Sequence, residues 1–328
     1  MNLDEKCFYI PDTTDNIAYI TEQLFNQQTQ SWQLAAANYA GLKKALTREF
    51  EIDGIRFIIQ FNPERISSSS AKTDAKSISE RKCFLCIENI PNEQQGIPVF
   101  NDFFILVNPF PIFDKHLTIT KLQHINQSIA DNAETMLNLA AALTDYVIFY
   151  NGPKCGASAP DHLHFQAGNK GFLPVENEFA EMKNRLQTYK YKSVEISFAS
   201  DYLRRMITLQ SNNKNDLLEI FRKTYGIFAE LQPHETEPML NIICCADKDE
   251  WTVHIFPRAK HRPSQFFAEG DAQLLISPAS VDLGGVFITP RYCDFEKITK
   301  HDIIDIFNQV TIGKNEFDKI ICEIGSQI

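Results

Sequence analysis

Residues His162-Leu163-His164-Phe165-Gln166 alternate polar and apolar side chains, the period of a β-strand. Side chains two apart on a strand share a face, so two imidazoles and an amide would stand on one side and two apolar groups on the other. A chain carrying such a strand needs a sheet with one face on a core and the other turned into a site. The loop ahead of it, Gly152-Pro153-Lys154-Cys155-Gly156-Ala157-Ser158, brings glycine freedom, the Lys154 cation and the Ser158 hydroxyl. Such groups hold phosphate oxygens. Neutral imidazole is a nucleophile toward phosphorus near pH 7, and the phosphoramidate it forms can be displaced again.

The remaining pattern reads as mixed helix and strand. Residues 16 to 50 carry a helical period, Phe50 to Phe61 is strand-like and ends at Asn62-Pro63, and Ile66 to Ser79, with serines at 67 to 70, reads as a loop or flap. Strands are expected at Phe103–Val107, His116–Thr120 and Val147–Tyr150, with an amphipathic helix near Asp131–Thr144. The second half should hold helical segments from about 180 to Leu231, then strands Met239–Cys245 and Trp251–Phe256. The strand, turn, strand and basic loop ending at P-R-A-K-H-R-P echoes Phe103 to Lys121, which suggests an internal duplication.

With 328 residues, 44% of them hydrophobic, two cores of about 150 residues each can form. A formal charge of −10 argues against a nucleic-acid-coating surface, though a few local cations suffice for a small anion. The start of the chain lacks a basic-then-apolar leader and no apolar run reaches about 20 residues, so a cytoplasmic protein without membrane contact, monomer or homodimer, is expected. Eight cysteines are too few for a disulfide scaffold, and Cys83-Phe84-Leu85-Cys86 has metal-ligand spacing. Two free thiols are the competing reading.

Asn151, the glycine loop, Ala157-Ser158, and then His162, His164 and Gln166 resemble, in order and nearly in spacing, the transferase branch of the histidine triad superfamily. That branch comprises galactose-1-phosphate uridylyltransferase, diadenosine tetraphosphate phosphorylase and GDP-hexose phosphorylase. The resemblance implies an α+β fold of two histidine-triad-like halves, antiparallel sheets flanked by helices. Residues 1–180 would be the catalytic half, and 181–328 a degenerate half completing the pocket. It makes His164 the residue that becomes nucleotidylated, and Gln166, where hydrolases of the superfamily carry a third histidine, favours transfer over hydrolysis. Asn151 would bind substrate, as would Asn101, Asp102 and Phe103 of V-F-N-D-F-F, placed on the nucleoside. Arg65 of N-P-E-R resembles the P-x-R stretch and would clamp phosphate. The segment Trp251 to Arg258 resembles the phosphorylases and would bring Arg258 to a second phosphate.

The same resemblance completes a structural zinc site on Cys83 and Cys86 with His124 and His162, leaving His164 free. His116 is the alternative to His124. The implied reaction is nucleotidyl transfer from a nucleoside diphosphate sugar or dinucleoside polyphosphate through a covalent histidine intermediate, with inorganic phosphate as acceptor. The alternatives are a hexose-1-phosphate uridylyltransferase and a zinc-stabilised nucleotide-binding protein without turnover. Two residues depart from the pattern: Ser158 stands four before His162 instead of three, and Asp161 sits directly ahead of it.

Overall fold

The computed structural model describes residues 3–12, 16–66, 70 and 73–328. Among these, the strands are β1 Leu46–Ile52, β2 Ile55–Phe61, β3 Gly96–Val99, β4 Phe103–Val107, β5 His116–Lys121, β6 Tyr146–Asn151, β7 His164–Asn169, β8 Gln187–Tyr191, β9 Val194–Ala199, β10 Met206–Ser211, β11 Leu240–Asp247, β12 Glu250–Pro257 and β13 Val286–Thr289. The expected α+β class holds. Ten strands make one antiparallel sheet in the order β3-β4-β5-β7-β6-β11-β12-β10-β9-β8, and β1, β2 and β13 make a second, small sheet.

Read inward from each edge, the large sheet runs β3-β4-β5-β7-β6 and β8-β9-β10-β12-β11. The two orders are the same, with the helix Ala133–Ala142 between β5 and β6 matched by Lys214–Leu231 between β10 and β11. The halves join where β6 pairs with β11, Asn151 opposite Asn241. The duplication expected from sequence is therefore visible in the topology, but between other elements: β11 and β12 correspond to β6 and β7, and the partners of β4 and β5 are β9 and β10.

Alternation along the strands divides two cores. Ile148, Tyr150, Phe165, Ala167, Ile242 and Val253 face a core built with helices such as Ala133–Ala142 and Lys214–Leu231, while Val147, Phe149 and Ile243 face the small sheet and the C-terminal helices. The site lies on the second face, where β7 meets residues of the C-terminal segment.

Three differences from the sequence reading have local causes. Phe50–Phe61 is the second part of a hairpin that opens at Leu46, turning at Asp53-Gly54 with φ of 52° and 77°, the left-handed pair that an Asp-Gly turn favours. Residues 187–211 are three strands and not helix; Lys192, φ 50°, makes the β8–β9 turn without a glycine to mark it. His162 precedes the strand, which starts at His164. Serines 67 to 69 lie outside the described residues, and farther along the expected flap is a short helix, Ala75–Glu80, started by the Asp74 carboxylate accepting from the Ser77 N–H at 3.0 Å. No helix among the described residues is long and apolar enough to cross a membrane.

Candidate active site

The end of β7 is fixed by Gln127, whose side chain is 2% exposed. Its Oε1 accepts from the His164 N–H at 2.8 Å, and its Nε2 reaches the carbonyls of Asn151 and His164, each at 3.0 Å. One amide thus ties the ends of β6 and β7 together. His164 itself is buried, and its Nδ1 lies 2.8 Å from the His162 carbonyl. A carbonyl only accepts, so Nδ1 carries the proton and Nε2 the lone pair. Burial pulls the His164 pKa down to about 4, which keeps the ring neutral near pH 7.

Gln166 is oriented by a residue that sequence reading placed elsewhere. The Ile112 N–H donates to His116 Nδ1 at 3.2 Å, so His116 Nε2–H donates to Gln166 Oε1 at 2.9 Å. Gln166 is left with its NH2 group for a ligand. His116 is fully buried and, by desolvation, held near a pKa of about 3, hence neutral. It is not part of the thiol cluster. We expect His116→Leu to slow any reaction that uses Gln166 by roughly tenfold, the value of one lost buried hydrogen bond, and to do nothing further in a Gln166→Ala background. Single-turnover rates of the two single variants and the double variant test this; additive losses would show that His116 acts by another route.

Sulfur and nitrogen atoms of Cys83, Cys86, His124 and His162 lie within 4.8 Å of one another. Cys83 Sγ is 3.3 Å and Cys86 Sγ 3.5 Å from His162 Nδ1, Cys86 Sγ is 3.2 Å from His124 Nδ1, and the two Nδ1 atoms are 3.2 Å apart. Tetrahedral ligands on zinc would be separated by about 3.3 to 3.8 Å. The Nε2 of His162 lies 2.6 Å from the Lys121 carbonyl, to which it donates, so Nδ1 is the free ligand atom.

Two cavities meet at β7. The larger, about 630 Å³, is walled by Trp32, Leu34, Phe84, Leu85, Leu106 and Phe110, with Arg65, Arg81, Ser158, His164 and Gln166 at its polar side. The smaller, about 50 Å³, is polar: Arg65, Asn151, Gly156, Ser158, Gln166, His261, Arg262 and Asp282 line it. Arg65 touches both, donates to the Phe110 carbonyl at 2.9 Å, and burial lowers its pKa only to about 10, so it stays charged. Asn151 Oδ1 accepts from the Ser280 N–H at 2.8 Å and from Asn241 Nδ2 at 2.9 Å. Gly156 has a φ of 92°, and a Cβ there would stand 2.5 Å from that of Ala279, so the loop needs glycine to pack on the C-terminal segment.

Several residues expected on the ligand lie away from the two cavities or are held by protein partners. Asn101, φ 68°, forms the β3–β4 turn; Asp102 pairs with Lys121; Phe103 is 1% exposed in the opposite core, 5.9 Å from Phe165. None of the three lines either cavity. Lys154 is an exposed residue paired with Glu235 at 2.7 Å. Arg258 is fully buried and all five of its N–H groups are used: Nε on Val310, one terminal nitrogen on Asn241 and Pro278, the other on Lys260 and His261. It braces the loop that carries His261 and Arg262 and has no donor left for a ligand. Arg258→Met should therefore destabilise the fold by about 3–5 kcal/mol, since it strands five acceptors, three of them buried. Urea unfolding measures the loss; an unchanged midpoint would refute the bracing role. His261 and Arg262 stand in the P-R-A-K-H-R-P loop, where no local pattern marks either as a ligand.

Residues 24–169 match the family described as a domain of unknown function, DUF4922, and residues 176–327 match the GDPGP1-like C-terminal domain. No curated protein matches the sequence. Among solved structures, yeast Ap4A phosphorylase Apa2 in complex with Ap4A overlays with a TM-score of 0.58 at 15% identity, covering 91% of this chain and 98% of that one. The same yeast enzyme in complex with AMP gives 0.57 at 16% identity, with the same coverage. A uridylyltransferase structure covers 76% of this chain and 93% of its own at 11% identity and a TM-score of 0.44.

Proposed function

We propose that this chain, whose residues 176–327 match the GDPGP1-like C-terminal domain and whose fold resembles that of yeast Ap4A phosphorylase Apa2, transfers a nucleotidyl group through His164 to inorganic phosphate. The observation that carries this reading is a neutral, buried imidazole with its Nε2 lone pair free, standing where a large apolar cavity meets a small cationic one. The apolar cavity, with Trp32, Phe84 and Phe110, suits a nucleoside. The small cavity, with His261, Arg262 and Arg65, suits the second phosphate of the donor and, after departure of the first product, the incoming phosphate.

In the first step His164 Nε2 attacks the α-phosphorus, a P–N bond forms, and the P–O bond to the second phosphate breaks, releasing a sugar 1-phosphate or a nucleoside polyphosphate. In the second step a phosphate oxygen attacks, the P–N bond breaks, and a nucleoside diphosphate leaves whichever donor was used. The Gln166 NH2 group and Arg65 stabilise charge on the transferring phosphoryl group. The GDP-hexose phosphorylase-like match over residues 176–327 favours a nucleoside diphosphate sugar as donor.

Cys83, Cys86, His124 and His162 would hold zinc, with no position open for substrate, so its contribution is structural. Turnover of a panel of nucleoside diphosphate sugars and dinucleoside polyphosphates with inorganic phosphate, read as nucleoside di- or triphosphate formed, tests the reading. Transfer to water alone, with phosphate without effect, would overturn it.

A further inference from the structure

We infer that Arg81, the residue two before Cys83, binds a non-bridging oxygen of the phosphoryl group that reaches His164; this rests on the nucleotidyl-transfer reading above. One terminal nitrogen of the guanidinium donates to Asp161 Oδ1 at 2.5 Å, and the ring of Phe84 lies 5.2 Å beneath it. The other terminal nitrogen is buried and makes no hydrogen bond within the protein. Buried guanidinium N–H groups are rarely left in that state, because they have lost water and gained nothing in its place. A structural ion pair with Asp161 explains one half of the group only.

The side chain walls the large cavity together with Ser158, His164 and Gln166, and among the described residues no carboxylate lines that cavity. An anionic ligand is therefore the partner the walls favour. Arg81 shares the wall of this cavity with His164, and its anchor Asp161 directly precedes His162, whose carbonyl holds His164 Nδ1, which favours the phosphoryl end of the ligand. Arg65 and Arg81 are the two arginines of the cavity wall, one from the segment after β2 and one from the segment after Ala75–Glu80. The acidic residue ahead of the histidine pair thereby gains a role, which is to aim Arg81.

Titration calorimetry of the zinc-loaded protein with GMP, AMP and UMP, and with the three matching nucleosides, tests the assignment. For the base that wild type binds best, Arg81→Gln should weaken the monophosphate by roughly 10- to 100-fold, the range for a charge-assisted hydrogen bond, and leave the nucleoside unchanged. Asp161→Asn, which keeps Arg81 but frees it, should produce a smaller loss in the monophosphate alone, and it stands in for Arg81→Gln should that variant fail to fold. Equal losses for monophosphate and nucleoside, or no loss for either, overturn the role of Arg81 while leaving the transferase reading intact. Wild type binding none of the three monophosphates overturns both.

Discussion

His164→Ala should lower turnover by at least about 10⁴-fold, the scale for loss of a covalent nucleophile, and remove the acid-labile nucleotidyl adduct altogether. The fold should survive, because the main-chain N–H and carbonyl of His164 are held by Gln127 and not by the imidazole. Neither His162 nor His116 can substitute. The Nδ1 of His162 is directed at Cys83, Cys86 and His124 while its Nε2 is on Lys121, and both nitrogens of His116 are taken by Ile112 and Gln166. Intact-mass measurement after mixing with donor in the absence of phosphate reads the adduct directly. An equal mass increment on the variant would mean that another residue is the nucleophile.

What could be read from sequence follows the range over which each feature is specified. The C-x-x-C pair and the H-x-H pair are local patterns, and the four ligands come together because β5 and β7 are adjacent in the sheet. Strands β4 to β7 were legible for the same reason: β4 and β6 are short continuous apolar runs, and β5 and β7 alternate polar with apolar residues. Roles that depend on distant partners were not. His116 acts on Gln166 across 50 positions and Gln127 on His164 across 37, and nothing adjacent in the chain marks either contact.

Arg258 shows the converse error. Its basic loop pointed to an anion, yet acceptors from residues 241, 260, 261, 278 and 310 converge to consume it, and the neighbour that brings a cation to the cavity is Arg262, beside His261, which burial keeps neutral. The left-handed backbone at Phe100 and Asn101 serves a tight turn, a demand that Asn satisfies as readily as it satisfies a ligand, so sequence cannot separate the two uses.

Cys83→Ser should remove bound zinc and lower the melting temperature by roughly 5–10 °C, a few kcal/mol in a chain of this size, without unfolding the protein outright. The cluster joins three segments: the Cys83–Cys86 turn, the loop after β5 that bears His124, and the approach to β7 at His162. Losing one thiolate leaves Cys86 and His162 buried with their ligand atoms turned toward each other and no cation between them. The extent of damage is limited because the ten-stranded sheet has apolar cores on both faces that do not include these residues. The effect should therefore be local first: faster proteolysis of the segment from Ala75 to Asn89, which carries Arg81 and Phe84 to the cavity wall, and weaker nucleotide binding before any change in the rate of attack by His164. Elemental analysis should give about one zinc per chain in wild type, the content of a single four-ligand site, and close to none in the variant. A chelator should bring wild type to the variant's melting temperature and leave the variant where it is. Wild type free of metal, with a melting temperature equal to that of Cys83→Ser, would show that the four side chains form a hydrogen-bonded cluster and no metal site.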